Sequence, residues 1–282
     1  MTVGDPATMT AAAIHPTTIV DPGATLGPGV RIGPFSVIGS QVVLGSGVEI
    51  GNHVTLESRV VLEAAVKVGH GAVIGGVPQD VKFKDGTPSG VRVGAGTVIR
   101  EHVTIHRATT ADGWTEIGRD CLIMAGAHIA HDCRLADGVI VINNAGLAGH
   151  CTVGERATVG GIVGVGPFMR IGAYAYLGGV SGLTMDLPPF MLAAGRPATV
   201  RGVNVVGLRR AGIGAPERRM IQDAHRLLYR EGLTPKAALD RIRQEIPATP
   251  RIALLVEFVE TARRGICGPP RGADLLEGEE AL

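Results

Sequence analysis

The sequence predicts a β protein, a parallel β-helix wound from hexapeptide repeats and followed by a C-terminal α-helical domain. Three observations predict it. An aliphatic residue recurs every six positions over most of the 282-residue chain. The chain holds 42 glycines but only 3% aromatic residues, so its core must be filled by many similar aliphatic side chains. Beyond Asn204 the apolar spacing becomes helical. A period of six is neither the 2 of an ordinary strand nor the 3.6 of a helix, which sets this pattern apart from a sandwich of alternating strands.

Taken in order, residues 1–13 read as a flexible N-terminus; MTVGDPATMTAAAIHP lacks the basic start and apolar run of a signal peptide. Residues 14–190 read as the β-helix. Val20, Leu26, Ile32, Ile38, Leu44, Ile50, Leu56, Leu62, Val68 and Ile74 keep one frame. A second run starts at Val93, passes a weak member at Ala111, and continues from Ile117 through Ile129, Leu147 and Val165 to Leu183. Each hexad should supply one short strand and a turn, with the aliphatic side chain inward and the frequent glycine after it relieving the corner. Three hexads close a coil, so residue n should lie beside n+18, about 4.8 Å away.

The frame breaks over 75–92, where GGVPQDVKFKDGTPSG carries too many prolines, charges and glycines to be wall and must loop outward. A smaller excursion is expected at ATTADGWT. Residues 191–267 read as the helical domain: ERRMIQDAHRLLYREG and PKAALDRIRQEI are amphipathic, with TPRIALLVEFVETARRG behind them. Such helices cover the open end of a β-helix, whose last coil otherwise exposes core and strand edges. The tail, 268–282, has no periodicity and reads as disordered.

Composition excludes several classes. A net charge of +1 gives no case for nucleic acid or an anionic membrane surface. No run of eighteen apolar residues spans a bilayer. Cys121, Cys133, Cys151 and Cys267 show no CxxC spacing and fit reduced thiols in a cytoplasmic protein.

The chemistry-bearing stretch is AGAHIAHDC. Ile129 points inward, so His128 and His131 face outward near a corner, as does His150, three places after Leu147. Adding eighteen to 131 and 132 gives Gly149 and His150, so the four residues should form one patch on adjacent coils. Three readings compete for His131. It is a solvated surface histidine; or part of a zinc site, as in hexapeptide-repeat carbonic anhydrases, although their H-x4-H pair is missing; or a general base tuned by Asp132, with the Gly149 N–H stabilising an oxyanion. The last is an acyl-transfer site that needs no protein nucleophile.

The motifs IHPTTIVDPGA, QDVKF, VTIHRATT, AHIAHDC, NNAGLAGHCTVG, VGGVSGL, PPFMLAAGRPAT and RGVNVVGLRR resemble, in order and spacing, the acyl-[acyl-carrier-protein]–UDP-N-acetylglucosamine O-acyltransferases that begin lipid A synthesis. The resemblance covers residues 14 to about 265. It implies a left-handed winding, against the usual right-handed crossover, and a homotrimer with sites in the clefts. The partners it implies are acyl carrier protein, whose thioester is the co-substrate, and a UDP-amino sugar; no other cofactor and no metal are implied. His131 would be the general base, Asp132 its orienting carboxylate and Gly149 the oxyanion-hole donor. His128 and His150 would line the pocket. Gln79, Asp80 and Lys82 would reach across to a neighbouring subunit, with Asp80 holding the sugar. Gly179 would set acyl length, while Asn204 and Arg210 would contact the nucleotide. Two departures stand out: Gly166–Pro167 replaces a usual His-Gln pair, and Val206 a usual glutamate. A changed acyl donor or sugar, or a non-catalytic binding trimer, is the corresponding expectation.

Overall fold

The computed structural model describes residues 12–57 and 59–269. The expectations of a flexible N-terminus and a disordered tail therefore lie almost entirely outside the described residues. Ala13 already pairs with Arg31 in a ladder, and the Gly268 carbonyl accepts from Val200 N–H. Contacts divide the chain into two compact units, residues 1–133 and 134–282.

In the first unit, strands of two to four residues stack in three parallel ladders, each pairing with the strand one coil on: Arg31 with Glu49, Val37 with Thr55, Val43 with Val61. The ladder repeats every eighteen residues because three hexads make one turn. The aliphatic column is fully interior: Ile38, Leu56, Leu62, Ile74, Ile99, Ile105 and Ile129 are all 0% exposed. A second interior column stands two places before it and is filled by small side chains, among them Val48, Val54, Ala72, Thr97, Cys121, Ala127 and Cys133. Alternation along a strand puts i−2 and i on the same face, and the narrow prism leaves room for one large and one small residue per hexad. Cys151 holds the same small position of its hexad in the second unit, and all four cysteines are buried. They are small core hydrophobes.

The glycine after the aliphatic residue has a different role from the one expected of it. Left-handed backbone falls two places later, at Phe35, His53, Asp132, His150 and Phe168, each three after its aliphatic residue. The glycine itself sits where successive coils touch: a Cβ on Gly94 would come within 2.6 Å of the Gly118 carbonyl carbon, and one on Gly154 within 2.4 Å of the Ala173 nitrogen. Close approach of backbones, rather than a corner dihedral, selects glycine there.

Among the described residues of the first unit, two insertions lengthen the step beyond eighteen. Lys67 pairs with Val98, thirty-one on, because residues 77–89 leave the ladder as a loop. Val93 pairs with Ile117, twenty-four on, because the ATTADG excursion adds six residues. Ala111 belongs to that excursion and is exposed, so it is not a wall position. It kept the sequence frame only because the insertion equals one repeat.

The second unit continues with Thr152 beside Arg170 and Thr158 beside Tyr176. An antiparallel pair, Met191–Ala194 with Thr199–Val203, follows. Among the described residues, helices then run over Val205–Arg210 (α1), Ala215–Tyr229 (α2), Pro235–Glu245 (α3) and Pro250–Glu260 (α4). Thr234 and Thr249 accept from backbone N–H groups at the starts of α3 and α4, each followed by proline at the first helical position. Arg170 fastens α4 to the last coils: its Nε donates to Asp186 at 2.8 Å, its Nη2 to the Phe258 carbonyl at 2.6 Å and its Nη1 to Thr261 at 3.0 Å. Among the described residues, no helix is long and apolar enough to cross a membrane.

Candidate active site

Strand Thr104–His106 and strand His128–Ile129 pair in the first unit, with Thr104 opposite His128 and Ile105 opposite Ile129. The two isoleucines are interior, so the residues beside them carry the outer wall. Thr104 Oγ1 and His128 Nδ1 are 2.7 Å apart, and the rings of His106 and His128 meet edge to face at 4.7 Å.

His131 follows at the corner. Its Nδ1 lies 2.8 Å from Asp132 Oδ2, and the two side chains are 12% and 14% exposed. Asp132 adopts left-handed backbone, φ 59°, which aspartate tolerates better than most residues. Three groups hold it. The Thr109 hydroxyl donates to Oδ2 at 2.7 Å, the Thr109 N–H donates to the carboxylate at 3.2 Å, and Thr115 Oγ1 accepts the Asp132 N–H at 2.9 Å. Asp132 thus accepts from His131 Nδ1–H, which leaves Nε2 as the basic nitrogen.

The neighbouring imidazoles are shifted against protonation. Burial first, then the proximity of His128, His131 and Arg107, pulls His106 down to about 4 from an ordinary 6.5. Burial, then His131, lowers His128. His106 Nδ1 is buried with no hydrogen-bond partner among the described residues.

The loop carries Gln79 and Lys82 exposed and Asp80 half-buried. Asp80 accepts the Lys82 N–H at 2.9 Å, which makes a tight turn at the tip. Arg107 Nη1 donates to the Gly75 carbonyl at 3.1 Å, and its guanidinium lies over the Phe83 ring at 5.3 Å, tying the loop to the strand that carries His106.

In the second unit, Gly149 and His150 form a corner, and the Gly149 carbonyl accepts from Phe168 N–H. The His150 and Phe168 rings stack at 4.6 Å, 5° from parallel. Gly179 is exposed, with the Gly161 carbonyl 3.3 Å from where its Cβ would be. Asn204 caps α1: its Oδ1 accepts from Gly207 N–H at 3.0 Å and its Nδ2 donates to the Tyr174 carbonyl at 2.9 Å. Arg210 is exposed in the last turn of α1, with Val206 49% exposed one turn earlier.

Within the first unit, then, the site residues that meet are His131 and Asp132, with His128 held by Thr104. Sequence reasoning missed Thr104, Thr109, Thr115 and His106. Thr109 lies in the excursion, where the hexad frame carries no information, and Thr115 belongs to the small interior column.

The bacterial transferase hexapeptide model (six repeats) matches residues 115–149, and the model for UDP N-acetylglucosamine O-acyltransferase, domain 2, matches residues 186–267. The chain is 47% identical over 258 residues to the acyl-[acyl-carrier-protein]–UDP-N-acetylglucosamine O-acyltransferase of Burkholderia orbicola, covering 90% of this chain and 98% of that one. The Burkholderia mallei enzyme is 49% identical over the same shares. Among solved structures, LpxA from Acinetobacter baumannii superposes with a TM-score of 0.86 at 37% identity, over 90% of this chain and 99% of that chain. The Francisella novicida UDP-N-acetylglucosamine acyltransferase does so with a TM-score of 0.87 at 32% identity, over 95% and 99%. The fold is the left-handed parallel β-helix of hexapeptide repeats with a C-terminal helical part, and the chain belongs to the acyl-[acyl-carrier-protein]–UDP-N-acetylglucosamine O-acyltransferase family.

Proposed function

We propose that the protein transfers an acyl chain, probed first as the 3-hydroxyacyl form, from acyl carrier protein to the 3-hydroxyl of UDP-N-acetylglucosamine or a related UDP-amino sugar. This would be the first step of lipid A synthesis, carried out by a cytoplasmic homotrimer without a metal. The observation that carries the reading is the His131–Asp132 pair, bonded through Nδ1 and braced by Thr109. Full-length relatives bearing that enzyme name support it.

In the proposed reaction, His131 Nε2 takes the proton of the sugar 3-hydroxyl as its oxygen attacks the thioester carbonyl. Asp132 holds the ring and stabilises the imidazolium. Gly149 follows His131 by the eighteen residues of one coil in the hexad frame, and on that spacing we assign its N–H to the tetrahedral oxyanion. Collapse of that intermediate breaks the C–S bond, and the leaving thiolate takes the proton back from His131. Burial of His106 and His128 disfavours a charge on either ring beside the base. We assign His128 and His150 to the pocket walls and Gly179 to the acyl-length limit. Gln79, Asp80 and Lys82, on the loop, reach the neighbouring protomer's cleft, with Asp80 on the sugar. Asn204 and Arg210 contact the nucleotide; because Asn204 caps α1, it offers one remaining amide hydrogen.

The test is mass-spectrometric detection of acylated sugar when UDP-N-acetylglucosamine is offered with a series of acyl carrier protein thioesters. His131→Ala should lower turnover by about 10²–10⁴-fold while the sedimentation coefficient stays that of a trimer. A folded wild-type protein that acylates no UDP-amino sugar would refute the reading.

A further inference from the structure

His150 also borders a cavity of about 440 Å³, built wholly within the second unit from Phe168, Arg170, Asp186, Arg263, Arg264 and their neighbours. Its charge is unbalanced. The one carboxylate, Asp186, is 5% exposed and engaged by Arg170, which donates its Nε to one oxygen at 2.8 Å and its N–H to the other at 2.9 Å. The remaining donors of Arg170 reach Thr261 and the Phe258 carbonyl, so that guanidinium is occupied. Among the described residues, neither Arg263 nor Arg264 is in an ion pair. Two guanidinium groups therefore face the cavity with no carboxylate to neutralise them.

Arg264 is held in place. Its Nη1 donates to the Pro167 carbonyl at 3.3 Å, and its guanidinium lies over the Phe168 ring at 5.5 Å. Phe168 occupies the left-handed corner position common to many hexads, φ 64°, and its ring is 54% exposed. That ring stacks on His150 and lies under the Arg264 guanidinium, so the corner sets the cation beside the imidazole. The fork of guanidinium donors matches phosphate oxygens, and adjacent arginines are the usual means of binding them.

We propose that this cavity is a phosphate subsite, in which Arg263 and Arg264 bind a phosphate ester of a substrate and Phe168 sets Arg264 beside His150. The assignment of the ligand rests on the acyl-transfer reading, in which both substrates carry such a group. One is the diphosphate of the UDP-amino sugar; the other is the phosphodiester of the carrier protein's phosphopantetheine arm.

Titration calorimetry on the intact oligomer distinguishes the sources, with UDP and 4′-phosphopantetheine as probes and uridine and pantetheine as their phosphate-free controls. R263Q/R264Q should weaken one phosphorylated probe by ~10–100-fold, the loss of one or two charge-assisted contacts, and leave its control unchanged. The matching substrate's KM should rise alike, with kcat within about 3-fold. R264K should recover part of the affinity, since it restores charge without the fork, and so separates lost binding from lost folding. Weakening of UDP assigns the diphosphate, and weakening of phosphopantetheine assigns the arm. If neither probe weakens, or if the phosphate-free controls weaken equally, the subsite is overturned. A wild-type protein that transfers no acyl group yet binds either probe through these arginines would keep the subsite and sink only the acyl-transfer reading.

Discussion

His131 acquires its chemistry from residues that do not touch substrate in the proposed reaction. Its Nδ1 is bound by Asp132, and Asp132 is bound by the hydroxyl and amide of Thr109. Outer-shell partners that orient a functional side chain are commonly worth 10–100-fold in activity. Thr109→Val keeps the shape and removes the hydroxyl, so it should lower kcat by about 10-fold with KM nearly unchanged, and Thr109→Ser should restore most of the loss. Steady-state kinetics of the two variants checks this; equal activity of Thr109→Val and wild type would release Thr109 from the role. The histidine and its aspartate were legible in AGAHIAHDC because the frame at Ile129 tells which neighbours face out. Thr109 was not, because the excursion interrupts the frame that would have placed it.

At the scale of the element, the hexad is a strand and a corner with three distinct demands. The aliphatic position needs volume, the position two before it needs a small side chain, and the position after it, in the hexads where glycine stands there, leaves no room for one. The last demand comes from the next coil's backbone, since a Cβ on Gly154 would lie 2.4 Å from the Ala173 nitrogen. Gly164, in a strand of another wall and one place before its aliphatic residue, has nothing within 4 Å of its would-be Cβ. Gly154→Ala should therefore cost about 1–3 kcal/mol by overpacking, whereas Gly164→Ala should stay within about 0.5 kcal/mol. Denaturant midpoints of the two variants decide it, and equal midpoints would return glycine to a purely conformational role. Period six was plain in the sequence; the reason for each glycine was not, because contacts between coils do not appear along one strand.

Across the whole molecule, the C-terminal helices must be joined to a prism that shares no hydrophobic period with them. In the second unit that junction includes a mostly buried ion pair, Arg170–Asp186, whose arginine also reaches the end of α4 at Phe258 and Thr261. Removing one partner leaves a charge in a poorly hydrated site, at a cost of about 3–5 kcal/mol. Asp186→Ala should lower the unfolding free energy by that amount and loosen α4, seen as faster hydrogen exchange over Pro250–Glu260. A variant with wild-type exchange in α4 would show that packing alone seats the helix.

The sequence by itself determined the six-residue period, the break in it that residues 77–89 fill as a loop, the helical spacing after Asn204 and the adjacency of His131 and Asp132. These all follow from local periodicity, which one strand of text carries. Only the tertiary structure decided what braces Asp132, why the glycines stand where they do, and that Ala111 is no part of the wall. It also brought Arg264, Phe168 and His150 to one cavity from opposite ends of the second unit. Those depend on distances between coils and between a coil and a helix, where residues nearly a hundred positions apart meet and no period links them.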